Sequence, residues 1–144
     1  MVRGEGKQDL GVLANLAVQM WDENSVSELI AEFSEMISKG KSQFFLKNEN
    51  DIPIGFAQCQ LRYDYVEGTK TSPVGYLEGI YIKDGYRRKG YAKELLTECE
   101  SWARSNGCRE FASDCEIDNT ASLHFHKAMN FTEANRNICF MKTL

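Results

Sequence analysis

One segment limits the possible folds of this chain more than any other. Tyr76-Leu77-Glu78-Gly79-Ile80-Tyr81-Ile82 is an apolar run rich in strand-forming residues, and Arg87-Arg88-Lys89-Gly90-Tyr91-Ala92 follows shortly after it. From there Tyr91, Ala92, Leu95, Leu96, Cys99, Trp102 and Ala103 recur at helical spacing until Gly107, which predicts a helix over 90–105. A strand that feeds an amphipathic helix through a short turn has one good way to bury both apolar faces: the helix lies on the sheet that holds the strand. The junction also has a chemistry of its own. The first N–H groups of a helix lack internal partners, the helix dipole adds positive character, and three cationic side chains add more. Gly90, without a Cβ, lets a ligand approach the backbone. The turn is a cradle for an anion such as a diphosphate, or else a solvated basic turn.

The rest of the chain fits around that unit. Asp9 can cap a helix over about 10–21, with Leu10, Leu13, Leu16, Ala17 and Met20 on one face. Ser25, with Glu28 three residues later, opens a second helix over 25–38 that ends at Gly40. Gln43 to Leu46 and Ile52 to Val66 read as a β-hairpin around Asn48-Glu49-Asn50-Asp51, and 74–83 as the next strand. A short strand over 109–115, a helix over 119–129 and two terminal strands complete the pattern, Ile138 to Met141 being the clearer of the two. Periodicity by itself supports an α/β domain with one sheet. At 144 residues, residues 1–144 form a single domain large enough to bury a substantial core.

Composition excludes several function classes. No apolar run approaches the length of a membrane helix. The stretch Met1 to Lys7 has no hydrophobic signal core, which with five cysteines lacking CxxC or zinc-type spacing suggests reduced thiols, a cytoplasmic location and no metal site. A formal charge of −4 argues against nucleic acid as the main partner and suits a cationic one.

Several polar residues stand out from this background. Glu78 interrupts an otherwise apolar strand. An ionised carboxylate costs several kcal/mol to bury unpaired, so it must face a cleft, water or a cation such as Arg62. Period-two alternation puts it on the face of Tyr76, Ile80 and Ile82, and the neighbouring Gly79 suggests a bulge. Asn119 suits a helix N-cap, and Asn130 suits a left-handed helix C-terminus. His124 and His126 lie too far apart around a helix to share one site, and His124 reads as surface. Asp22, Glu23, Asp64, Glu67, Glu78, Asp114, Glu116 and Asp118, with Trp21, Tyr63 and Tyr65, could line an acidic, aromatic hollow if the fold brings them together.

The spacing Arg87-x-x-Gly90-x-Ala92 resembles the acetyl-CoA pyrophosphate loop of the GNAT N-acetyltransferases. A second block, Asn119, Ser122, His126, Asn130 and Phe131, is similar to that family's later signature, with His in place of a usual Tyr and Asn in place of a usual Gly. The resemblance implies a GNAT fold: a mixed central β-sheet flanked by about four helices, whose splayed strands form the acetyl-CoA cleft. By that resemblance Ile80 and Ile82 would pair with pantetheine through their backbones. Arg87, Arg88, Lys89, Gly90, Tyr91 and Ala92 would hold the diphosphate, and Asn119 would bind pantetheine or the strand edge. Glu78 would take the acceptor amine. His126 would protonate the departing thiolate, or else pack on the cosubstrate.

Tyr63 to Gly68, Leu77 to Ile80, Cys108 to Asp114 and Gln19 to Trp21 further resemble the aminoglycoside 6'-N-acetyltransferases. That narrower resemblance implies direct transfer of acetyl to an aminoglycoside 6'-amine in a ternary complex, giving antibiotic resistance, with Trp21, Asp22, Tyr65, Glu78 and Asp114 around the substrate. It also implies a homodimer sharing C-terminal strands. Another amine acceptor, such as a polyamine or a peptide N-terminus, and an acyl-CoA-binding module without turnover are the alternative readings.

Overall fold

The computed structural model describes residues 2–5 and 7–144, with side chains from residue 8 onward. Met1 and Gly6, part of the N-terminal stretch considered above, lie outside the described residues. Nine main elements follow in order: β1 (Val2–Glu5), α1 (Leu10–Ala17), α2 (Val26–Lys39), β2 (Ser42–Glu49), β3 (Ile52–Arg62), β4 (Val74–Ile82), α3 (Tyr91–Ser105), β5 (Phe111–Ser113) and α4 (Thr120–Ala128). The sheet runs in the order β1-β2-β3-β4-β5. Its pairs are antiparallel except β4 with β5, which is parallel. The expected mixed sheet with four α-helices is therefore present, and β1 is an addition that the sequence pattern did not show.

Local chemistry explains the boundaries. Ser25 Oγ accepts the Glu28 N–H at 3.1 Å, and α2 ends where Gly40 turns left-handed at φ 71°. The β2–β3 hairpin turns on Asn50 and Asp51 at φ 50° and 64°, residue types that tolerate the left-handed region such turns need. Asn119 caps α4 by accepting the Ser122 N–H at 3.1 Å, and Asn130 follows that helix at φ 69°, as expected.

Two cores sandwich the sheet. Leu13, Leu16, Leu29 and Phe33 of α1 and α2 pack on Phe44, Leu46 and Phe56 from one face. Leu95, Leu96 and Cys99 of α3 pack on Phe45, Ile54, Ala57 and Leu77 from the other, with Phe125 and Met129 of α4 alongside. Each buried Leu, Ile or Phe among these contributes about 1.5–3 kcal/mol.

The most consequential irregularity is in β4. Its register against β3 runs Gln58↔Gly79 and then Cys59↔Leu77, so Glu78 is an extra residue without a partner. The bulge expected near Gly79 is there. One inserted residue inverts the in–out alternation beyond it. Ile80 and Ile82 therefore join Leu77 in the α3 core, while Tyr81 packs against the α1–α2 core. This corrects the expectation that Glu78 shares a face with Ile80 and Ile82.

Other boundaries also differ. α1 stops at Ala17, and the chain continues through turns in which Trp21 N–H still bonds Ala17 C=O at 2.8 Å. β3 ends at Arg62 rather than 66, and the strand expected over 109–115 is reduced to Phe111–Ser113. The two terminal strands do not form: residues 131–144 carry no regular structure. Ile138, Phe140 and Met141 are 81%, 90% and 87% exposed, so the apolar pattern is real, but this segment pairs with none of the described strands. Among the described residues no helix is long and apolar enough to cross a membrane.

Candidate active site

The bulge turns Glu78 toward the α1–α2 face, where it lines a cavity of about 320 Å³ with Trp21, Asn24, Glu32, Met36 and Gln58. Gly79 makes that wall possible. A Cβ there would lie 2.6 Å and 2.7 Å from two atoms of the Trp21 ring, so only glycine lets the indole come this close to the strand. Trp21 is held in turn by edge contacts with Phe33 and Phe56 at 6.4 Å and 6.0 Å.

Glu78 is not left unpaired. Arg62 donates to its Oε1 from Nη2 at 2.8 Å and from Nε at 3.2 Å. The guanidinium lies 3.4 Å from the centre of the Tyr76 ring, and the Tyr76 hydroxyl donates to Asp114. Arg62, Tyr76, Glu78 and Asp114 thus form one connected group at the end of the β4–β5 pairing. Burial raises the Glu78 pKa above the ordinary carboxylate value; Arg62 opposes the rise and the Asp114 charge adds to it. Burial and the bond to Asp114 push the Tyr76 hydroxyl up as well, so it stays a donor.

The second half of the site is an open strand edge beside a helix start. β5 pairs with β4 only from Gly75↔Phe111 to Leu77↔Ser113. Beyond Leu77 the two strands part, and among the described residues no strand lies beside the β4 edge from Glu78 onward on that side. An extended amide-bearing ligand can add to such an edge as a strand would. The edge leads to the loop before α3, where Arg88 and Gly90 are left-handed at φ 64° and 82°. The α3 N–H groups ahead of Glu94 have no intrahelical acceptor.

The cationic side chains of that loop divide their work. Arg87 Nε donates to the Ile82 carbonyl at 2.8 Å and its Nη1 pairs with Asp84 at 2.9 Å, so Arg87 shapes the loop. Lys89 reaches Glu49 at 3.4 Å, and the Tyr91 hydroxyl also donates to Glu49, holding that carboxyl below its usual range. The buried Lys47 pairs with Glu94 at 2.7 Å, a contact that raises its pKa, and it lies 4.5 Å from the Tyr91 ring centre. Arg88 is exposed and makes no ion pair among the described residues. Ile80 and Ile82 place their side chains in the α3 core, which leaves only their backbones for a ligand.

His126 is half-buried on α4. Its Nδ1 lies 2.7 Å from the Ser122 carbonyl and its Nε2 lies 2.8 Å from Ser113 Oγ. A carbonyl only accepts, so Nδ1 carries the proton in the neutral ring, and Nε2 accepts from the Ser113 hydroxyl in preference to that hydroxyl's longer 3.4 Å contact with the Leu77 carbonyl. The ring also packs edge-on against Phe131 at 5.0 Å. His124 is exposed, as expected.

Of the residues expected around an acceptor, Trp21 and Glu78 line the cavity, and Asp114 joins Glu78 through Tyr76 and Arg62. Asp22 is exposed and Tyr65 is 77% exposed, and neither lines that cavity in this chain. Sequence reasoning missed Asn24, Glu32, Ser113 and Gln58. Gln58 carried a readable signal: an amide between Ala57 and Cys59 in a largely apolar strand raises the same question as Glu78. No group of His, Cys, Asp or Glu among the described residues could hold a metal ion. Cys115 is exposed, and no described cysteine forms a disulfide.

Known proteins resemble this chain in sequence and in fold. The acetyltransferase (GNAT) family matches residues 12–131. An aminoglycoside N(6')-acetyltransferase type 1 from Serratia marcescens is 38% identical over 90% of this chain and 89% of its own length. The structure of AAC(6')-Iy with the bisubstrate analogue CoA-S-monomethyl-acetylneamine superposes with a TM-score of 0.95 at 33% identity, covering 100% of this chain and 98% of that one. AAC(6')-Iy with CoA gives a TM-score of 0.96 at 33% identity, covering 100% and 95%.

Proposed function

Because this chain belongs to the GNAT acetyltransferase family, we propose that it is an aminoglycoside 6'-N-acetyltransferase that moves acetyl from acetyl-CoA to the 6'-amine and thereby confers resistance. The observation that carries this reading is the bulged Glu78. It stands where β4 and β5 part, with an open strand edge on one side and an acidic cavity on the other.

Acetyl-CoA lies along the β4 edge, its pantetheine amides paired with the backbone of Ile80 and Ile82. Its diphosphate sits on the N–H groups of the turn from Arg87 to Ala92, with Arg88 adding charge. The acceptor amine arrives as an ammonium and is held by Glu78. It loses a proton to that carboxylate through water, and the raised Glu78 pKa brings the base closer to the operating pH. The neutral nitrogen then attacks the thioester carbonyl and a C–N bond forms; as the C–S bond breaks, the nitrogen gives up its second proton, which passes through water to the departing thiolate. No acyl-enzyme is needed, and exposed Cys115 has no histidine or helix start to activate it.

Both ring nitrogens of His126 are engaged by Ser122 and Ser113. We therefore assign His126 to holding α4 against β5 rather than to proton delivery; a thiolate is a good leaving group that needs little help. Asn119 acts first as the α4 cap.

The reaction belongs in the cytoplasm, where acetyl-CoA is made. A second copy of the chain is the natural cover for Ile138, Phe140 and Met141, since a strand from the partner would satisfy their backbone and bury their side chains. Light scattering should then give twice the mass of one chain.

The test of the reaction is an acetyl-CoA consumption assay against 6'-amino aminoglycosides and polyamines, with the modified nitrogen located by NMR. Acetylation at the 6' position supports the proposal. Turnover of polyamines alone points to a different amine acceptor, and acetyl-CoA binding without turnover points to a binding module.

A further inference from the structure

The cavity beside Glu78 holds more unused polar chemistry than one amine requires. Gln58, on β3, is only 2% exposed. Its Nε2 donates to the Met36 sulfur at 3.1 Å, a weak acceptor, and its Oε1 has no hydrogen-bond partner among the described residues. Because Gln58 lines the cavity, that oxygen is free to accept from a ligand there. Asn24 and Glu32 line the same cavity, and neither side chain has a hydrogen bond or ion pair among the described residues. Leu29, Phe33 and Met36 form an apolar floor, and Glu32 is solvent-exposed. Glu78, by contrast, already shares its charge with Arg62. At about 320 Å³ the cavity sits near the lower bound of small-molecule sites, roughly 300–1,000 Å³, and has room for a sugar ring.

We infer that Asn24, Glu32 and Gln58 form a second acceptor subsite, which binds an ammonium or hydroxyl group of the acceptor other than the one acetylated. Glu32 supplies the charge for a second ammonium, and the Gln58 oxygen accepts from an N–H or O–H at the cavity floor. The subsite rests on the acetyltransferase reading and deepens it. It makes the enzyme select acceptors with several amines on linked rings over single amines.

The test compares wild type, Glu32→Gln and Gln58→Leu, each checked for an unchanged melting profile, with Glu32→Asp as the conservative control. The acceptors are neamine, which carries several amines, and methyl 6-amino-6-deoxyglucopyranoside, which carries one. Neamine binding is also measured by calorimetry, independently of turnover. Glu32→Gln and Gln58→Leu should each raise the KM and Kd for neamine about fivefold to tenfold, with the single-amine sugar and acetyl-CoA changed less than about twofold. Glu32→Asp should recover part of the loss. Wild-type turnover of neamine with unchanged neamine affinity in both variants overturns the subsite and leaves the reaction standing. So do equal losses for both acceptors. Glu32-dependent neamine binding without any turnover keeps the subsite and removes the reaction.

Discussion

Replacing Arg62 with methionine isolates the electrostatics of the site. Arg62 makes two charge-assisted donations to one oxygen of Glu78, at 2.8 Å and 3.2 Å, and its plane stacks on Tyr76. Hydrogen bonds to charged groups contribute about 1.5–3 kcal/mol, and exposed ion pairs about 0.2–1. The Arg62 side chain is 37% exposed and that of Glu78 is 22% exposed, so solvent screening pulls the pair toward a net value of about 1–2 kcal/mol. That corresponds to a loss of roughly 5–30-fold in kcat/KM for the acceptor if the whole of it is used to orient Glu78. The pH dependence is more diagnostic. Burial raises the Glu78 pKa and Arg62 restrains it, so removing Arg62 lets the pKa climb further. Glu78 must be ionised to hold the ammonium, and the acidic limb of kcat/KM moves to higher pH. The stability effect has the matching sign. The fold disfavours the ionised form of a carboxyl whose pKa is raised, so the variant is most destabilised near neutrality and recovers as Glu78 protonates on acidification. Steady-state kinetics across pH, with denaturant melts at the same values, read both effects. An acidic limb that stays in place or moves to lower pH would refute the assignment of Arg62 as the restraint on Glu78.

Gly79→Ala puts a Cβ into the Trp21 ring and should destabilise the fold by about 1–3 kcal/mol while raising the acceptor KM, seen in melts and kinetics together. Cys115→Ser should keep most activity; a folded but inactive variant would mean that an acyl-enzyme exists. His126→Phe keeps the packing on Phe131 and removes both hydrogen bonds. It should lower kcat by less than about tenfold, whereas a proton donor would cost roughly 10²–10⁴-fold.

Much of the architecture was legible because its signals are local. Spacing alone located α2 and α3, and Ser25, Gly40 and Asn119 marked helix ends where the structure has them. Glu78 was legible for a different reason: a carboxylate in an apolar strand demands an explanation. What was not legible depends on the third dimension. Strand alternation assigned Ile80 and Ile82 to the wrong face because a single bulged residue reverses parity, and no periodicity rule sees that without the partner strand. The terminal strands were read from a real apolar run at Ile138 to Met141, but a strand needs a partner, and residues 131–144 pair with none of the described strands. Asn24, Glu32 and Gln58 lie on three separate segments, and only the packing of α2 against β3 brings them around one cavity. His126 was found by its slot, yet its role turned on Ser113 and Ser122, whose hydroxyl and carbonyl fix the tautomer.

The central claim is that one bulged carboxylate handles the acceptor amine while a separate strand edge and helix start hold acetyl-CoA. Glu78→Gln separates the two most directly. Calorimetry should give an acetyl-CoA affinity within about twofold of wild type, and kcat/KM for a 6'-amino aminoglycoside should fall about 10²-fold or more. Unchanged turnover, or a parallel loss of acetyl-CoA binding in a protein that still melts normally, would contradict it.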